Sequence, residues 1–153
     1  LEIMLCGRAT IEVITELYPS HESPPPAKKA TVVLATVKGD IHDLGKNIVK
    51  MILTATGYNV VDCGKDCPPE NIVETVEKEH AVAVGVSGLI TPVIPNVIEV
   101  REALAKRGLE QVKVLAGGGA LRQSTLVQLN VDFVAETAFD GLHYLDQLVG
   151  VPQ

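Results

Sequence analysis

The run Thr36-Val37-Lys38-Gly39-Asp40-Ile41-His42-Asp43-Leu44-Gly45-Lys46-Asn47 holds a carboxylate and an imidazole two residues apart. At that spacing Asp40 can accept a hydrogen bond from one ring nitrogen of His42. Such a bond fixes the tautomer, raises the basicity of the second nitrogen and leaves it free to bind a metal. Two other groups could join this pair. Ser87, Gly88 and Leu89 set a hydroxyl beside a residue without a side chain, and Gly117 to Gly119, taken alone, could be a phosphate loop or simply a tight turn.

These groups are far apart in sequence, so the elements around them must bring them together. Val32 to Val37 is an apolar run of strand length, and beyond Gly45 the residues Ile48, Val49, Ile52 and Leu53 recur at helical period. His42 therefore belongs on a loop at the carboxyl edge of a strand, where open α/β sheets bind ligands. From Thr31 the pattern alternates. It predicts strands over 31–37, 58–63, 81–87, 112–116 and 131–135, and helices over 45–56, 69–79, 93–107, 121–129 and 140–149. Gly57 and Gly108 stand where helices end and suit a left-handed residue, and Pro68 and Pro69 suit a first helical turn. Repeats of this kind imply a parallel sheet with right-handed crossovers. The simplest is a flavodoxin-like (Rossmann-like) α/β domain of five strands in the order 2-1-3-4-5, with helices on both faces. Its switch point lies between strands one and three, so His42 and Ser87 would flank one crevice. Ahead of this domain, taken as 31–153, the sequence predicts an amphipathic helix over 1–18 and a proline-rich linker over 19–30 that includes Pro24 to Pro26.

Composition removes several functional classes. The 153 residues are 46% hydrophobic but only 3% aromatic, so aliphatic side chains build the core and no aromatic platform for nucleic acid is expected. A formal charge of −6 also opposes binding to a polyanion. No apolar stretch approaches the roughly 20 residues of a membrane span, and Glu2, Arg8, Glu12 and Glu16 are unlike a secretory signal. A cytoplasmic chain without membrane or nucleic-acid partners is expected. Cys63 and Cys67 have neither the C-x-x-C redox spacing nor enough companions for a zinc site, and with Cys6 they are expected to be reduced thiols. The chain has no G-x-x-x-x-G-K-S/T run, and no G-x-G-x-x-G opens the first helix, so nucleotide binding lacks its usual support.

With its three groups on three strand ends, the chain resembles the cobalamin-binding domain of methionine synthase and of the small corrinoid proteins of methyltransferase systems. The family's D-x-H-x-x-G, S-x-L and G-G stand here as Asp40-x-His42-x-x-Gly45, Ser87-x-Leu89 and Gly118-Gly119, with 41 residues between Gly45 and Ser87 and 28 between Leu89 and Gly118. The resemblance spans about residues 31 to 149. It implies cobalamin as the cofactor, in turnover as methylcobalamin, with the dimethylbenzimidazole base off the cobalt. His42 would replace that base as lower axial ligand, and Asp40 would orient it. Ile41, Asp43, Leu44 and Gly45 would share the binding loop. Ser87 would hydrogen-bond the buried base beside Leu89, with Thr91 a further candidate. Gly117, Gly118 and Gly119 would leave room for the nucleotide tail, so that a side chain at Gly118 would block the tail without unfolding the domain.

The implied function is a corrinoid protein that shuttles a methyl group between methyl-donor and methyl-acceptor methyltransferase subunits, with a reductive activator as a further partner. The chain would carry the cofactor for such a system and would not be a catalyst alone. Leu1 to Tyr18 would be a remnant of a helical cap. An adenosylcobalamin mutase small subunit, or a cobalamin-sensing or storage module, would share the fold and the histidine. The stretches Gly45 to Val49 and Ser87 to Pro92 look like the methyltransferase branch. One departure concerns residue 93. Methionine synthase has a serine after its leucine-isoleucine-threonine-proline run, and this chain has Val93. A relay from the histidine would therefore stop at Asp40 or continue through water.

Overall fold

Alternation along one strand sorts the domain into two cores. In the computed structural model, which describes residues 28–152, β1 (Thr31–Thr36) sends Val33 and Ala35 to one side of the sheet and Val32 and Leu34 to the other. The elements that follow are α1 (Leu44–Ala55), β2 (Asn59–Asp62), α2 (Pro69–Glu79) and β3 (Ala83–Ser87). After a 3-10 turn over Thr91–Val93 come α3 (Ile94–Lys106), β4 (Lys113–Gly117), α4 (Leu126–Leu129), β5 (Phe133–Ala135) and α5 (Ala138–Val149). All strands are parallel and their order is β2-β1-β3-β4-β5, as the sequence predicts. The expected helix over 1–18, most of the linker over 19–30, and Cys6 lie outside the described residues. Among the described residues no helix is long and apolar enough to cross a membrane.

The two faces are filled unequally. On one, α2 and α3 close over a large core that includes Val33, Ile72, Val76, Val84, Val97, Leu104 and Val114. On the other, α1 and α5 cover a smaller set centred on Val32, Leu34, Leu53, Ala83, Leu115 and Leu145. Gly57 and Gly108 adopt positive φ of 101° and 70° after their helices, as expected. Glu77 near the end of α2 pairs with Arg107, just past α3, at 2.7 Å.

Strand and helix limits differ from expectation mainly after β4. The predicted helix over 121–129 shrinks to Leu126–Leu129. Leu121 and Arg122 both donate their amides to the Gly118 carbonyl, which makes a turn, and Thr125 then caps the helix by accepting the Gln128 amide. The predicted strand over 131–135 begins only at Phe133, and Asp132 before it has another task. Its carboxylate accepts the Val114 amide at 2.8 Å and an Arg101 guanidinium hydrogen bond, with Lys113 at 3.8 Å.

Burial alone would raise the Asp132 carboxyl, but the Val114 amide, Arg101 and Lys113 together hold it below the usual aspartate range. A carboxylate lowered on folding adds stability above its unfolded pKa of about 3.9 and loses it as pH falls through the folded value. Asp132→Asn should therefore destabilise the domain by about 1.5–3 kcal/mol at pH 7. The difference from the parent should shrink toward zero near pH 2, as read by denaturant unfolding at both pH values.

Candidate functional site

Asp40 is fully buried at the end of β1, and its carboxylate takes three hydrogen bonds from two loops. Oδ1 accepts the His42 amide at 2.9 Å, closing an Asx turn, and also the His42 ring Nδ1 at 2.6 Å. Oδ2 accepts the Leu89 amide at 2.6 Å, from the loop after β3. Burial pushes the Asp40 carboxyl up, but the Leu89 and His42 amides and the His42 ring outweigh it and hold the group below the ordinary aspartate value. An ionised carboxylate can only accept, so Nδ1 carries a proton, and in the neutral ring the lone pair is then on Nε2. The ring is 51% exposed, and among the described residues Nε2 has no hydrogen-bond partner. A second set of bonds steadies the turn from behind. The Asp66 amide donates to the Asp40 carbonyl at 2.9 Å, and Asp66 Oδ1 accepts the Gly39 amide at 2.8 Å.

Beside this histidine a cavity of about 670 Å³ runs down between the sheet and the pair α1 and α5. Its floor follows from strand register. Thr36, Ser87, Gly117 and Ala135 are aligned across β1, β3, β4 and β5, so the carboxyl end of this face carries a row of small side chains. One row further in, Leu34, Gly85, Leu115 and Phe133 are aligned. The Ser87 hydroxyl lies 2.9 Å from that of Thr36, so the floor presents a polar spot within an otherwise apolar groove.

The sequence-derived site residues largely converge here. Ile41, His42, Asp43, Leu44, Gly45, Ser87, Leu89, Gly117, Gly118 and Gly119 all line the cavity, and Asp40 lies beneath the loops that form its mouth. Thr91 is not among the lining residues; it opens the 3-10 turn and is exposed. Gly118 lines the cavity and also has a packing task that its motif does not disclose. It has φ of +108°, and a Cβ there would meet the Gly88 carbonyl oxygen at 2.4 Å. A side chain would thus break the packing of two backbone loops, and the ligand-free domain would suffer too. Val93 is buried, and its methyl groups occupy space beside Gly39 and Gly88. Asp40 Oδ2 ends on the Leu89 amide, so no hydroxyl relay continues through residue 93.

Other cavity residues were not legible from motifs. Gly85 leaves room for Leu34, whose Cδ2 would lie 2.6 Å from an added Cβ. Lys46, nearly buried in the first turn of α1, is neutralised by Asp62 of β2 at 2.6 Å. Gly141 is the most telling. It is buried inside α5 and lines the cavity, yet a Cβ there would meet nothing within 4 Å. Gly45 in α1 likewise has no neighbour within 4 Å of an added Cβ. A glycine inside a helix costs about 1 kcal/mol relative to alanine, and the chain's own packing does not explain Gly141, whereas Gly45 is exposed in the first turn of α1, where the cost is smaller. Both leave a cradle that a ligand would fill. The free Nε2 and the small-residue floor fit the same kind of guest, a metal-bearing group with an elongated tail.

Comparison with known proteins agrees. The model of the B12 binding domain family matches residues 30–143. The chain is 35% identical over 142 residues to dimethylamine corrinoid protein 1 of Methanosarcina acetivorans, covering 92% of this chain and 66% of that protein. It is 34% identical over 147 residues to the methanol corrinoid protein of Methanosarcina barkeri, covering 96% of this chain and 56% of that one. It therefore spans two thirds or less of these relatives. Among solved structures, a chain of the methanol:cobalamin methyltransferase complex MtaBC from Methanosarcina barkeri superposes with a TM-score of 0.77 at 32% identity, covering 99% of this chain and 58% of that one. If Gly141 is a ligand cradle, Gly141→Ala should stabilise the ligand-free domain by up to about 1 kcal/mol, seen as a higher Tm, and should weaken cobalamin binding. A lower Tm would instead assign the glycine to internal packing.

Proposed function

Because the chain belongs to the B12-binding domain family, whose cofactor is cobalamin, we propose that it carries this cofactor for a methyltransferase system, with the tail's base off the cobalt and His42 on it. The observation that supports this most is the histidine itself. Asp40 occupies Nδ1, and Nε2 stands exposed at the mouth of the groove.

Each part of the chain then has a task. His42 Nε2 would hold the cobalt, and Asp40 would keep a proton on Nδ1 and the ring in one orientation. The groove between α1, α5 and the small-residue row receives the nucleotide tail, with the Ser87 hydroxyl as hydrogen-bonding partner for its base. Ile41 is 66% exposed, and Leu44, Leu89 and Ile90 are also exposed around the mouth. Apolar groups collected in this way suit a binding surface, here one edge of the macrocycle. Bound at this place, the corrinoid supplies a cobalt nucleophile able to accept a methyl group and release it again. The chain's residues hold, orient and expose that centre.

Methyl-donor and methyl-acceptor methyltransferase subunits are the proposed partners, with a reductive activator as a third. The relatives named for methanol and dimethylamine, and the MtaBC complex, support this reading. The residues before Thr31 would form the end of a helical cap and its linker, and the cytoplasm is the proposed location.

Paramagnetic resonance of the cobalt(II) form made with nitrogen-15 histidine should show a labelled axial nitrogen that disappears in His42→Ala. In Asp40→Asn an amide N–H must confront one of the donors now bonded to the carboxylate. Cobalamin affinity in that variant should fall about 10- to 100-fold. Hyperfine coupling from dimethylbenzimidazole in the parent protein would contradict the proposal.

A further inference from the structure

Cys63 and Cys67 stand four apart in sequence, but the sheet brings them closer than that. The β1–β2 register pairs Leu34 with Asp62, which sets Cys63 opposite Ala35, and an isolated parallel bridge pairs Cys67 with Val37. Their positions along β1 thus differ by only two residues, about 6.6 Å of strand. Gly64, Lys65 and Asp66 bulge outward between them, with positive φ of 81° at Gly64 and 51° at Asp66. Ala35 and Val37 face the same core, and both cysteines pack into it. Two cysteines on one face at about that spacing stand near the upper end of the roughly 4.4–6.8 Å between Cα atoms that a disulfide bridges, so closure must draw them together. Both are free thiols, and burial followed by the neighbouring Cys63 sulfur pushes the Cys67 thiol up to about 11.

The bulge between them is the segment that braces the histidine turn. Asp66 donates its amide to the Asp40 carbonyl and accepts the Gly39 amide, and Cys67 donates its own amide to the Thr36 carbonyl at 3.0 Å. We propose that Cys63 and Cys67 form a redox-active dithiol, and that its closure to a disulfide shifts the turn carrying Asp40 and His42. The oxidant class is a small-molecule disulfide. Cys63 is half-buried and the more exposed of the two residues, so it is assigned as the one that meets the reagent first. Cys63 gives its proton to solvent base, and its thiolate attacks the reagent, whose S–S bond breaks and releases one thiolate that takes up a proton. Cys67 likewise gives its proton to base and attacks Cys63 Sγ, and the mixed disulfide breaks to release the second thiolate, which is protonated in turn. Two protein thiols lose two electrons, and one disulfide becomes two thiols. The strand separation is near the upper limit for a bridge, so closure draws Cys67 toward Cys63 and pulls on Asp66 between them. The consequence for cobalt ligation rests on the proposed role of His42, whereas disulfide formation does not.

The test uses the full chain in a Cys6→Ser background, compared after oxidised glutathione and after dithiothreitol. Oxidation should remove the mass of two hydrogen atoms. Trypsin cuts at Lys65, between the cysteines, so their two peptides should stay joined until reduced. The amide resonances of Gly39, His42 and Asp66 should shift, and hydroxocobalamin affinity should fall about tenfold. Cys63→Ser should abolish all of these changes, and Cys67→Val should stop the reaction at a stable glutathione adduct. In the parent, a persistent glutathione adduct without a 63–67 link would overturn the proposal, and so would a link that leaves those resonances in place. A protein that shows the link and the shifts but binds no hydroxocobalamin in either state would instead remove the cofactor reading and leave the dithiol intact.

Discussion

A negative charge with no exposure to water needs donors on every side, and the Asp40 carboxylate gains them by tying two loops together. One oxygen closes the Asx turn and holds the histidine ring, and the other takes an amide from beyond β3. The mouth of the groove is therefore set by one side chain. If it were neutral or absent, the His42 ring would lose its orientation and the Leu89 amide its partner. Asp66 braces the same turn from the β2 side, so three strand ends are fixed relative to one another before any ligand arrives. This is preorganisation of a kind that metal sites require of their outer groups.

The second constraint is what the domain leaves unfilled. The face covered by α2 and α3 is packed with branched aliphatic side chains, whereas the face under α1 and α5 ends in Thr36, Ser87, Gly117 and Ala135. Ser87, Gly117 and Ala135 line the groove, where larger side chains would fill it. Glycines at 45 and 141 widen the gap from the helical side. Marginal stability makes such omissions costly, and the larger core on the opposite face supports the sheet in spite of them. Lys46 and Asp62 form a buried ion pair at the α1 margin.

Strand order and crevice could be read from the sequence because both rest on periodicity and punctuation: five aliphatic runs, glycines after helices, prolines at first turns. The Asp40–His42 bond was equally legible, since an Asx turn needs only the i to i+2 spacing. The failures have a common cause. The helix expected over 121–129 followed apolar periodicity, but the turn after Gly118 and the Thr125 cap decided where it could begin. Gly118 lines the cavity, but its motif does not disclose that an added side chain would first meet the backbone of Gly88. Gly85 and Gly141 carried no motif, and only cross-strand register and helix placement reveal what they face. The brace at Asp66 and the closeness of Cys63 to Cys67 depend on a bulge that spacing alone does not disclose.

The buried carboxylate, the half-exposed imidazole and the unfilled face all fit the proposed cobalamin site. A crystal structure of this chain with cobalamin tests that most directly. The account predicts His42 Nε2 on the cobalt, Asp40 still bonded to Nδ1 and to the Leu89 amide, and the nucleotide tail lying in the groove over Ser87 and Gly117, beside Gly45 and Gly141. A cobalamin that keeps its own base on the metal, with the groove between α1 and α5 holding only water, would contradict it.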